Sequence, residues 1–325
     1  MTAKGSIVPS TIITVSLGVL TLIGLYLTSL YSYLLFHSLA EVFSIVVASS
    51  VFMLVWNARR FIDKGYFLLL GIAYVFVGAL DLIHTLAYPG MRVLQGADTN
   101  MAAQLWIAAR YLQSVSLLIA PVFLARKLRS NLVLVAYAVI VGLLLGLILY
   151  WGIFPVCFVE GVGLTPFKII SEYIICLILL ASVCVLYLRR SEFDPRVLRL
   201  LMASIVVAIA SELAFTQYAH AYATANMIGH LLKIVSFYLI YKAVVETGLV
   251  RPYDLLFRSL KQEREALRES EERYRDLVEN IDDVIYTLDA DAKVTYVSPA
   301  VESWLGYTPS EVVGRHFSGF VLEED

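Results

Sequence analysis

Apolar residues dominate the chain in blocks of about twenty. Eight such blocks can be placed, at roughly residues 9–30, 33–57, 66–88, 102–125, 131–152, 167–188, 197–219 and 225–248. A helix rises about 1.5 Å per residue and the hydrocarbon layer is about 30 Å thick, so each block can cross a bilayer. The first is too long to be the core of a cleavable signal peptide, and no small-residue cleavage site precedes the second. The pattern changes after Arg251. YDLLFRSLKQEREALRESEERYRDLVEN, from Tyr253 to Asn280, reads as a charged helix in which Leu260, Leu267, Tyr274 and Ile281 recur every seven residues. Leu256 and Leu277 take the companion position, and Glu263 and Ser270 interrupt it. That spacing predicts a short, half-polar coiled-coil seam suited to a parallel homodimer. Beyond it the period becomes two: VIYTL and KVTYV alternate as strands about a turn at residues 289–292. Ser298-Pro299 opens a short helix ended by Gly306, and TPSE at 308–311 is a capping box with proline at the first helical position.

Composition places these blocks in a membrane. A 325-residue chain that is 59% hydrophobic and 16% charged is too apolar for a soluble domain. The net charge of -2 says little, because acidic and basic residues crowd after Arg251, and no nucleic-acid partner is expected. Cys157, Cys176 and Cys184 have neither CxxC nor metal-finger spacing and read as apolar filler. Cationic residues gather in alternate loops. Arg59, Arg60 and Lys64 follow the second block, Arg126, Lys127 and Arg129 the fourth, and Arg189, Arg190, Arg196 and Arg199 surround the turn after the sixth. The intervening loops carry little beyond Arg92 and Lys168. By the positive-inside rule both termini are cytoplasmic, as an even number of spans requires. The expected location is the inner membrane of a prokaryote.

Against this background the polar residues inside the spans stand out. GALDLIHTLAYPGM, at 78–91, places Asp81 and His84 three residues apart before the third span has ended at Tyr88. His37 and Glu41 share one face of the second span, and Arg110 and Gln113 lie about two turns into the fourth. Glu172 lies one turn into the sixth, Glu212 and His220 near the end of the seventh, and Asn226, His230 and Lys233 along one stripe of the eighth. With the orientation above, all fall in the outer layer of the bilayer. Each charge costs roughly 2.5 to 3.5 kcal/mol near the bilayer centre, so four carboxylates, an arginine and a lysine facing lipid alone cost up to roughly 15 to 20 kcal/mol. They must face one another, as a structural network or as an outward-facing ligand pocket. Intramembrane ionisable residues default to function, which favours the pocket. Its candidate residues are Glu41, Asp81, His84, Tyr88, Arg110, Glu172, Glu212, His230 and Lys233. Within that set His84, His230 and Asp81 are the candidate metal ligands, with Asp81 either orienting His84 or joining it around a cation. Two histidines at matched depth also meet the axial requirement of haem b, whereas His37 and His220 read as interfacial.

Two other classes share some of these features. A haem- or metal-bearing membrane redox protein would use the histidines but has no need of the coiled coil and the strands behind it. A transporter with a regulatory tail predicts inverted repeats, discontinuous helices and a through-path, and the inner halves of these spans are nearly free of charge.

The stretch DDVIYTLDADAKVTYVSPAVESWLGYTPSEVVGR, with ERYRDLVEN before it, closely resembles the first half of a PAS domain. Such domains run about twice as far, so the resemblance implies that the long helix and three strands closing the usual cleft are missing. DLIHTLAYPGM, QLWIAARYLQS and NMIGHLLKIVSFYLIYKA resemble the third type of membrane-associated sensor (MASE) domain over roughly residues 10–250. Asp81, His84, Tyr88, Trp106, Arg110, Gly229, His230 and Lys233 carry that resemblance. It implies a sensory input module placed ahead of PAS, histidine kinase or diguanylate cyclase domains, hence a missing output domain and a downstream response regulator. The expected fold is an all-α polytopic bundle of about eight transmembrane helices (1–250), a signalling helix (251–280) and a partial α/β PAS domain (281–325). No kinase or cyclase motif occurs before Asp325, so no catalytic activity is expected of this chain.

Overall fold

The computed structural model describes residues 7–59, 65–124, 126–216, 224–245, 251–280 and 282–320. Residues 1–252 and 253–325 form two compact units. The first holds α1 (Ile7–Tyr31), α2 (Tyr33–Ala58), α3 (Gly65–Ala87), α4 (Thr99–Ile119), α5 (Ser130–Leu145), α6 (Pro166–Leu188), α7 (Pro195–Phe215) and α8 (Thr224–Val245). All eight contain a stretch long and apolar enough to cross a membrane. Side chains set where they begin. Ser32, Asp98, Thr165 and Asp194 each accept a hydrogen bond from a first-turn backbone N–H, and Pro166 and Pro195 occupy first helical positions where no amide is needed.

Six helices close a ring in which α2 packs on α3, α3 on α4, α4 on α6, α6 on α7, α7 on α8, and α8 back on α2. The other two pack outside it, α1 against α2 and α5 against α3. Their composition explains this. α5 buries only Val141, and the membrane-crossing part of α1 buries nothing, because lipid is as apolar as leucine and a helix apolar all round gains little by moving inward. The ring helices instead carry small or polar residues where they meet. A Cβ on Gly71 would lie 2.9 Å from Val55 of α2, and one on Gly229 would lie 2.5 Å from the Phe215 ring, so α8 approaches α7 only as glycine. Ser211 uses that approach, donating to the Gly229 carbonyl at 2.8 Å.

The segment between α5 and α6 forms a small antiparallel hairpin, β1 (Phe158–Val159) with β2 (Gly163–Leu164). It is tied to the start of α4. Asn100 accepts from the amides of Cys157 and Phe158 at 2.8 and 3.1 Å, and Gln104 donates to the carbonyls of Phe154 and Pro155.

The second unit holds all but the first two residues of α9 (Arg251–Asn280), followed by the antiparallel pair β3 (Tyr286–Leu288) and β4 (Val294–Val297) and the short helices α10 (Ala300–Leu305) and α11 (Pro309–Val312). Thr308 and Glu311 form the expected capping box, and Gly306 ends α10 in the left-handed region at φ 74°. Val294, Val297, Val301 and Val312 make a small core facing an apolar hollow of about 220 Å³.

Candidate functional site

α2, α3, α4 and α8 each bring charged or imidazole side chains to one polar cluster inside the ring. Glu41, Asp81, Arg110, His230 and Lys233 are buried, as are His37 and His84. Arg110 places one guanidinium nitrogen 2.6 and 2.8 Å from the two Asp81 oxygens and donates from another to Gln113, which in turn donates to the Tyr74 hydroxyl. Lys233 donates to both oxygens of Glu41, at 2.9 and 2.7 Å, and lies 3.1 Å from Asp81. Two acids and two bases thus balance, and their ion pairs join all four helices. Trp106 supplies a face for both cations, each 4.7 Å from the ring centroid.

The imidazoles form the adjoining layer. His37 stacks on Tyr88 at 3.6 Å between centroids, with His230 4.8 Å and His84 5.4 Å away. His84 Nδ1 lies 2.8 Å from the Ala102 carbonyl, and His230 Nδ1 lies 2.7 Å from the Asn226 carbonyl. Carbonyls only accept, so in both rings Nδ1 carries the proton. One atom from each of His37, Glu41, His84 and His230 falls within 4.8 Å of all the others. Beside them is a void of about 30 Å³, lined by His84, Tyr88, Trp106, Phe215, Asn226 and His230 among others. It has room for an ion or a water and none for a porphyrin, so these residues do not fit haem b as they are packed.

The remaining candidates lie elsewhere in the ring. Glu172 of α6 and Glu212 of α7 are buried side by side, with Lys168 ion-paired to Glu172. Lys168, which sequence reading counts among the loop charges, sits in the first turn of α6 and is 1% exposed.

The structure places two other residues, Asp81 and His37, differently from the sequence reading. Asp81 is engaged by Arg110 and Lys233 rather than by His84, whose Nδ1 is taken by Ala102. His37 is fully buried at the centre of the imidazole group rather than interfacial. The signal that would have found it is its place four residues before Glu41, which puts both on the inward face of α2. His220 lies outside the described residues.

The MASE3 family, described as a membrane-associated sensor domain, matches residues 28–252, and the PAS fold matches residues 272–325. No curated protein and no solved structure was found to match the chain.

Proposed function

We propose, for a chain that belongs to the MASE3 family of membrane-associated sensor domains and carries a PAS domain behind it, that the buried polar cluster is the sensing element of a signalling protein. In this reading the chain lies in a prokaryotic inner membrane with both termini in the cytoplasm. A small polar or ionic ligand reaches the cluster from outside. Its binding shifts the ring helices, and α9, paired with a second copy, passes the shift to the PAS domain and to an output module of the histidine kinase or diguanylate cyclase kind. A histidine kinase output would act on a response regulator.

One observation supports this reading above the rest. A cluster that served only to brace the ring would satisfy its own polar atoms, whereas both nitrogens of His37 and Nε2 of His84 are buried without a hydrogen-bond partner. α9 supports the relay, because Leu267, Tyr274 and Leu277 are exposed along one seam of the single chain.

The test joins the chain to a diguanylate cyclase reporter and compares Asp81→Asn and Glu41→Gln with wild type. Both substitutions keep shape and remove charge. A severalfold change in cyclase output per folded, membrane-inserted chain is expected, alongside the lowered unfolding temperature that loss of one partner of a buried ion pair brings. Unchanged output with lowered unfolding temperature would assign the cluster to bracing.

A further inference from the structure

Resting on the reading of this cluster as the sensing element, we infer that His37, His84, His230 and Glu41 bind a single divalent transition-metal ion, for which Lys233 stands in when none is bound. Four potential ligand atoms already lie within 4.8 Å of one another. Bonds of about 2.0–2.2 Å in a tetrahedral site set ligand atoms about 3.4 Å apart, so inward shifts of about an ångström complete the sphere. The tautomers suit this. With Nδ1–H of His84 and His230 donating to the Ala102 and Asn226 carbonyls, the lone pair of each Nε2 faces inward, the arrangement by which backbone carbonyls orient metal-ligating histidines.

The inward-facing atoms also lack what their burial requires. His84 Nε2 and both nitrogens of His37 have no hydrogen-bond partner. His230 Nε2 lies 3.3 Å from Glu41 Oε1, so the two atoms are placed to share one positive species, the proton of an imidazolium or a metal ion. The adjoining void of about 30 Å³ accommodates a water as a further ligand. Three imidazoles and one carboxylate, without a thiolate, select a borderline ion such as Zn²⁺ or Cu²⁺ over Mg²⁺ or Ca²⁺.

Lys233 makes the site responsive. Its ammonium occupies both oxygens of Glu41, so a metal ion taking Glu41 displaces it toward Asp81, which Arg110 already holds. Binding therefore exchanges the pairing of α2 with α8 for a metal bridge across α2, α3 and α8.

The test titrates the full chain, without a histidine tag and in lipid nanodiscs, with Cu²⁺ alone. It reads stoichiometry and the nitrogen splitting of the electron paramagnetic resonance signal. One copper per chain with imidazole splitting is expected. H37Q, H84Q and E41Q should each weaken binding by about 100-fold, while H316Q, on an exposed histidine of the second unit, should leave it unchanged. K233M keeps all four ligands and removes the competing ammonium, so it should tighten binding by about tenfold. That variant decides the matter even where a ligand substitution fails to fold, since an affinity equal to or weaker than wild type overturns the inference. No bound copper in the wild type, or equal binding by wild type and H37Q, overturns it too. A chain that takes no copper yet changes reporter output on Asp81→Asn loses the metal and keeps the sensing cluster.

Discussion

Arg110 shows how a charge is kept inside this bundle. Its guanidinium is 2% exposed, held by Asp81 and Gln113 and laid over Trp106, so its charge is met by a carboxylate, an amide and a π face. Arg110→Gln leaves Asp81 with Lys233 alone and should lower stability by about 3–5 kcal/mol. Adding Asp81→Asn should recover part of the loss, giving a coupling of roughly 1–3 kcal/mol in thermal unfolding of the four chains of a double-mutant cycle. Additive losses would show the pair to be independent. At this scale the sequence was informative about which residues matter and poor about who meets whom. The cost of burying Asp81 and Arg110 could be read from their position in apolar spans, and that cost requires partners. Which partner each one takes depends on helix rotation, which spacing within one helix does not contain. Asp81 and His84 are neighbours on α3 and still turn to different helices.

Among the elements, the eight spans and the strand–strand–helix order after Asn280 follow from period and length, and the sequence blocks coincide with the helices to within a few residues. The ring order was not legible, because α5 and α6 are similarly apolar and only the polar face of α6 distinguishes an inner helix from a peripheral one. α9 carries its own prediction. In a cysteine-free background, cysteines placed singly at 260 or 267 should cross-link between protomers several times better than cysteines at 264 or 268. The first two lie on the heptad seam and the others do not. Equal yields at all four positions would remove the parallel dimer.

For the whole molecule, the charge pattern fixes the expected direction of insertion. Arg59, Arg126, Lys127, Arg129, Arg189, Arg190, Arg196 and Arg199 lie in or beside turns that alternate with those near Asn100 and Gly161. An impermeant maleimide applied to sealed cells should label a cysteine at 161 and spare one at 130. Native Cys157 should not interfere, because burial pushes its thiol up to about 12, well above a labelling pH of about 8, so almost no thiolate is present. Labelling of 130 from outside would overturn both the count of spans and the outward position of the cluster. The central claim is that the charge state of a buried cluster in the ring sets the arrangement of α9 in a dimer. The most direct test is the distance between spin labels at position 277 of the two protomers, measured by double electron–electron resonance in nanodiscs for wild type and for Lys233→Met. The account predicts a displaced distance distribution, by about 2 Å or more, in a variant that remains folded and dimeric. Superimposable distributions in the two folded dimers would contradict it.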